Sequence, residues 1–248
     1  DQLQGIKEGD VIPGKDLVGR VDQLVAVEVV HVLDRRRREE RRVVPCPDLV
    51  GSIHDRIVRI VARLADGVAE QDQSPRPGTN GAALAELKTI FKENGTVTAG
   101  NSSPLNDGAS MTLLASDAAC EKFELQRRAR VIDHAVVGLD PCQMGMGPVP
   151  AIRQLLQKTG LSVAAIDLFE LNEAFDSQAI ACVNELQLPS EKVNPWGGAI
   201  ALGHPLGSTG TRLITTLLNG LESSGGKYGI ASLCIGHGQG MATLIERL

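Results

Sequence analysis

At 248 residues with a net charge of −5 and only 2% aromatic residues, the chain can form one large domain or two ordinary ones around a Val, Leu, Ile and Ala core. Its 42% apolar and 22% charged residues fit a globular protein in water, and the acidic balance gives neither nucleic acid nor an anionic membrane a reason to bind. The five cysteines are odd in number and include no Cys-x-x-Cys pair, which argues against a disulfide framework or a zinc ribbon. No metal is expected, and a reducing, cytoplasmic setting is the default, with an organelle matrix left open. No apolar run reaches the roughly 18 residues that span a bilayer, and a first residue of Asp1 suggests a fragment or a processed product.

Residues 1–71 form an unassigned head. Within them, Val21 to Leu33 is β-branched enough for a strand. It runs into the charge run Asp34 to Arg42, whose mixed signs favour a solvated segment over an anion-binding patch. Ile57 to Val68 has the apolar spacing of a helix. With no aromatic residue and no clear amphipathic pattern, the head is expected to pack poorly on the rest.

From about Asp72 the pattern changes. Pro75 to Gly78 reads as a turn, Ala82 to Phe91 as a helix, and Asn94-Gly95 as a tight turn before Thr96-Val97-Thr98. Residues 99–108 are small and polar, a composition that lets backbone approach a ligand closely. Arg130 to Val137 is a strand, and Pro148 to Gly160 a helix opened by prolines and stopped by glycine. Ile166 to Leu171 is a buried strand, Ala174 to Leu186 and Leu206 to Leu221 are helices, and Lys227 to Ile235 and Met241 to Ile245 are strands around a glycine turn. Strands alternating with helices, closed by a β pair, predict a layered α/β fold.

Three segments carry residues of chemical interest. Asn172-Glu173-Ala174-Phe175 stands where a strand gives way to a helix, a place where Asn172 could equally be a cap. Gly197-Gly198-Ala199-Ile200-Ala201-Leu202-Gly203-His204-Pro205-Leu206-Gly207 presents an imidazole on a glycine-rich loop. Cys234-Ile235-Gly236-His237-Gly238-Gln239-Gly240 follows a strand-end thiol with exposed N–H groups, a pairing suited to acid/base work beside an oxyanion hole. An inert buried cysteine is the plain alternative.

In this order, and with Ser102 to Ala109 and Met144-Gly145-Met146-Gly147-Pro148 upstream, these segments resemble the signature set of thiolases. The resemblance covers residues 72–248. It implies a layered thiolase fold, with residues 72–128 completing the loop domain and amino-terminal half and residues 129–248 forming the carboxy-terminal domain. The activity implied is acyl transfer: thiolytic cleavage of 3-oxoacyl-CoA or the reverse condensation. Cys234 would move a proton to and from the α-carbon, and His204 would donate to the thioester oxygen beside a water held on Asn172. The Gly236 N–H would serve a second oxyanion hole. Ser103, Met144 and Phe175 match positions lining the pantetheine and acyl channel. CoA is a co-substrate in this scheme, no bound cofactor is required, and the full family fold implies a homo-oligomer. Asn172, His204 and Cys234 should therefore converge.

Three departures stand out. His237 replaces the usual glycine, and Asp176 a usual small residue. No cysteine matches the acylated nucleophile, since Cys46 lies between two prolines and Cys120 in an Ala-Cys-Glu helix surface. An impaired thiolase, or an inactive fragment that binds CoA or a partner subunit, are the two readings that result. The runs at Ser103-Pro104 and Ala174 to Ala179 look closer to degradative thiolases than to the biosynthetic type. A ketoacyl synthase fits less well, because histidines would replace Asn172 and Cys234.

Overall fold

The computed structural model describes the backbones of three strands, β1 (Leu24–Val29), β2 (Ala62–Leu64) and β3 (Gly67–Ala69), together with residue 76 and residues 78–248. The charge run Asp34 to Arg42 and Cys46 lie outside the described residues.

Above residue 128 the sequence pattern and the structure agree closely. Strand β5 (Ala129–Gly138) leads through a short 3₁₀ turn to helix α3 (Pro148–Thr159). Prolines open α3, Val149, Ile152, Leu155 and Leu156 form its buried stripe, and Gly160 stops it at φ 69°. Strand β6 (Leu168–Leu171) is buried along its whole length and precedes α4 (Asp176–Leu186). A four-residue helix, α5 (Ala199–Leu202), and the long α6 (Thr209–Ser224) then lead to the terminal hairpin of β7 (Tyr228–Ile235) and β8 (Gln239–Arg247).

These strands join a six-stranded sheet in the order β4-β1-β5-β8-β7-β6, where β4 is Met111–Ser116. Within it β6 and β7 run parallel, and the other neighbours are antiparallel. One face carries α3 and α4 over Phe169, Leu171, Ile230, Ala242 and Leu244. The other carries Leu213, Leu217, Leu218 and Leu221 of α6 over Leu168, Ala231 and Ile245. The result is the layered α/β arrangement expected. A register shift in β5 between Val131 and Asp133 keeps Ile132 and Ala135 in the same layer, which three residues of regular strand would not do.

The sheet edge at β6 is closed rather than open. Val193 makes a parallel bridge to Phe169, and the Asn194 N–H donates to the Phe169 carbonyl at 2.9 Å. The Asn194 amide then both accepts from the Leu171 N–H and donates to the Leu171 carbonyl, each at 2.8 Å.

The expectations for the first part of the chain need four corrections. Leu24–Val29 does form a strand, but it pairs with β4 on one side and β5 on the other, so these six residues do not stand apart from the main unit. An unpaired β5 edge is a row of free backbone donors and acceptors, and a β-branched segment covers it. Within Ile57 to Val68, β2 and β3 form an antiparallel pair instead of a helix, since short apolar runs do not by themselves separate the two. The helix expected over Ala82 to Phe91 is only α1 (Gly81–Ala85), capped by the Asn80 side chain. Beyond it, Thr89 bridges to Thr98 around the turn in which Gly95 N–H returns to the Lys92 carbonyl at 3.0 Å. Cys120 also differs from expectation: on α2 (Asp117–Lys122) it is buried against Ala115, Ala119 and Leu125.

The start of β8 passes so close to the start of α3 that a side chain has no room. A Cβ on Gly240 would run into the Gly147 carbonyl, and one on Gly147 would lie 2.8 Å from the Gly240 Cα. Because both obstacles are backbone, we expect Gly240→Ala to lower stability by about 2 kcal/mol or more. A urea melt with a lower midpoint and an unchanged slope would show this, and a wild-type midpoint would refute it.

Candidate active site

The parallel pairing of β6 with β7 sets Leu171 beside Ser232, and the Asn172 N–H continues the ladder to the Ser232 carbonyl at 2.9 Å. Both strands therefore end at one edge of the sheet, the usual place for function in open α/β sheets. Asn172 leaves the end of β6 fully buried, and its Nδ2 lies 3.3 Å from His204 Nε2. The other ring nitrogen, Nδ1, is 2.7 Å from Thr209 Oγ1 at the first residue of α6. No partner reaches Asn172 Oδ1 among the described residues.

The small-residue segment 102–110 straps the histidine loop in place. Asn106 Oδ1 accepts the His204 N–H at 2.8 Å, and Ser110 Oγ lies 2.7 Å from both the carbonyl and the hydroxyl of Ser208. Gly203 takes φ 99° where Asn106 packs against it, and a Cβ there would meet the amide. Glu173 secures the loop from the other side, accepting from Asn194 Nδ2 at 2.9 Å and from the Ile200 N–H at 3.2 Å. Gly198 leaves room for that carboxylate.

Cys234 is buried near the end of β7, on the face shared with Ile230 and the α3–α4 layer. Burial raises its thiol pKa, only partly opposed by a backbone hydrogen bond, so the sulfur stays protonated at neutral pH. Burial likewise raises Cys182 on α4, partly opposed by its hydrogen bond with Gln178. Of the three residues expected to converge, Asn172 and His204 touch. Cys234 is the last residue but one of the neighbouring strand, which ends on the same side, and no hydrogen bond joins it to His204. Gly236 begins the turn beyond it, with open space where a Cβ would stand. In that turn His237 adopts φ 65° and Gly238 φ 80°. The residue in glycine's usual place thus keeps the left-handed backbone that glycine takes without strain.

The channel candidates fall on the strap and its neighbours. Both the N–H and the hydroxyl of Ser103 donate to the Ala174 carbonyl at 3.1 Å. Phe175 bridges to Ser102 and stacks edge-on with Phe91, ring centres 6.1 Å apart. Met144 lies in the 3₁₀ turn before α3, its carbonyl accepting from Gly147. Asp176 is the first residue of α4, and its N–H is bound by the Asn101 carbonyl at 2.9 Å.

Sequence reading missed the ion pair beneath the histidine. Glu170, 1% exposed in β6, meets Arg212 of α6 at 3.2 Å. Burial raises the Glu170 pKa to about 7, against the opposing pull of Arg212. Burial and the Arg212 charge lower that of His204, so its ring is neutral at pH 7. An acidic residue interrupting an otherwise apolar buried strand was the available signal for Glu170.

The family model described as "Thiolase, C-terminal domain" matches residues 125–247, and "Thiolase, N-terminal domain" matches residues 50–118, beginning ahead of Asp72. The chain belongs to the thiolase family. It is 53% identical over 193 residues to a beta-ketoadipyl-CoA thiolase of Pseudomonas aeruginosa, covering 77% of this chain and 48% of that protein. Over 177 residues it is 52% identical to the peroxisomal 3-ketoacyl-CoA thiolase B of Mus musculus, covering 71% and 42%. Its fold matches that of human mitochondrial 3-ketoacyl-CoA thiolase in complex with CoA, with TM-score 0.70 and 46% identity over 73% of this chain and 46% of that one. The chain spans about half the length of the curated relatives it matches. No helix among the described residues is long and apolar enough to cross a membrane.

The raised Glu170 pKa has a consequence for stability. Between about pH 4.5 and 7 the folded chain holds a proton that the unfolded chain releases. The stabilising contribution is complete below that window and disappears as the pH rises through it. Denaturant melts should lose stability from pH 5 to 7.5, and the loss should be shallower in Glu170→Gln; an equal slope in both would exclude Glu170 as its source.

Proposed function

We propose that this chain carries the thiolase acid/base half-site, for thiolytic cleavage of 3-oxoacyl-CoA or the reverse condensation. The observation that carries the reading is the Asn172–His204 contact at the edge where β6 and β7 end, with Cys234 the last residue but one of the neighbouring strand. In the cleaving direction, an attacking thiolate adds to the 3-oxo carbon and the C2–C3 bond breaks. The electron pair stays on C2, and the Cys234 thiol protonates that carbon; the Cys234 thiolate then takes the proton of the CoA thiol, whose sulfur accepts the acyl group and releases the attacking thiolate. A thiol kept protonated by burial suits a proton donor. Neutral His204, helped by a water held on Asn172, donates to the thioester oxygen, and the Gly236 N–H serves the second oxyanion. Ser103, Met144 and Phe175 line the approach of the pantetheine arm. CoA is the co-substrate, residues 129–248 form the carboxy-terminal domain, and a homo-oligomer is the expected assembly. The runs around Ser103 and Phe175 favour the degradative class of 3-oxoacyl-CoA.

The cysteines support a second reading, an inactive fragment that binds CoA or a partner subunit. Cys120 and Cys182 are buried, and the exposed Cys142 follows Pro141 in the 3₁₀ turn with its N–H held by the Asp140 side chain. Burial denies Cys120 and Cys182 the open access of an acyl acceptor. Loss of one member of such a catalytic unit costs about 10⁴-fold or more in rate. We therefore expect near-zero thiolysis by the chain alone, measured as loss of 3-oxoacyl-CoA enolate absorbance with CoA present, and no further fall in Cys234→Ala. Turnover that disappears in Cys234→Ala, with a thioester on a cysteine after acetyl-CoA treatment, would overturn the inactive reading.

A further inference from the structure

The hydroxyl of Thr209 has two neighbours and one proton to give. His204 Nδ1 lies 2.7 Å from it, and the Pro205 carbonyl 3.0 Å. That carbonyl already accepts the Ser208 N–H at 2.8 Å and the Thr209 N–H at 2.9 Å, which uses both of its lone pairs. We propose that Thr209 is the positioning residue of His204: its hydroxyl donates to Nδ1 and holds the ring in the tautomer whose proton sits on Nε2.

The far side of the ring can accommodate the same assignment. With Nε2 protonated, the Asn172 Nδ2 at 3.3 Å would set donor against donor. The amide therefore turns its oxygen toward Nε2, the orientation the hydrogen-bond network requires. In either orientation one end of the buried amide keeps no partner among the described residues, so the choice of tautomer falls to the Thr209 side of the ring. The opposite circuit, Nδ1–H to Thr209 and Thr209 to Pro205, places a third proton on a saturated carbonyl. Thr209 is itself fully buried, so water does not compete for its hydroxyl. An acyl oxygen that replaces the Asn172 oxygen as acceptor then meets an N–H that needs no added proton.

This inference rests on His204 as a site residue, but its test uses neither substrate nor turnover, so it and the acyl-CoA reading can fail separately. The experiment is long-range ¹H–¹⁵N correlation of the imidazoles in the ¹⁵N-labelled full chain at neutral pH, with His204 assigned by the signals lost in His204→Gln. Wild type and Thr209→Ser should show a protonated Nε2 and a bare Nδ1. Thr209→Val, which keeps the shape and drops the hydroxyl, should reduce the Nε2–H to Nδ1–H ratio at least fivefold while backbone amide dispersion persists. A wild-type ring protonated on Nδ1 would overturn the proposal, as would an unchanged ratio in a folded Val variant. Should the Val variant not fold, the wild-type tautomer and its retention in Thr209→Ser decide the matter.

Discussion

The parallel hydrogen-bonded pair β6–β7 is the constraint on which the candidate site depends. Parallel neighbours send both chains out at one edge of the sheet. Here the ladder continues past the last paired strand residue, because the Asn172 N–H still reaches the Ser232 carbonyl. That extra bond fixes where the asparagine leaves the strand, and so where the histidine loop must dock. A slip of one residue would exchange the Phe169–Leu171 face for the Leu168–Glu170 face and bury a carboxylate among α3 and α4.

Around that anchor the site is assembled from distant segments by backbone contacts more than by large side chains. Asn106 and Ser110 come from nearly a hundred residues before the loop they hold. Glycines at 198 and 203 mark where a carboxylate and an amide press against the main chain. The polar centre lies under this lattice, with Glu170 and Arg212 paired in a layer otherwise filled by leucines. A buried pair of this kind is weak support for stability, but removing one member strands the other charge. It also sets the electrostatic environment of His204, whose ring Arg212 helps to keep neutral.

Much of the fold after Ala129 was legible because punctuation and periodicity agreed there. The prolines and Gly160 bracket α3 as expected, and the apolar stripe of α6 ends at Gly225. The earlier part was less legible because pairing partners, absent from any local window, decided it. Strand β4 escaped notice after a small-residue run and takes its conformation from β1, while residues 62–69 pair with each other despite helical spacing. At the site, the motifs identified Asn172 and His204, whose contact the structure contains. Thr209 was invisible because a threonine at a helix start reads as an ordinary terminus. Cys120 read as a surface residue because charged Glu121 beside it conceals a packed face of a short helix.

Asn194 has an effect beyond the strand it touches. By answering both the N–H and the carbonyl of Leu171 with one amide, at backbone φ 46°, it imitates a neighbouring strand without being one. The sheet is thereby sealed on its β6 side by a single side chain and a short bridge. A β6 edge left bare would be a template for edge-to-edge pairing between molecules. The residue therefore removes one template for self-pairing, at a position three residues before the glycine-rich loop begins.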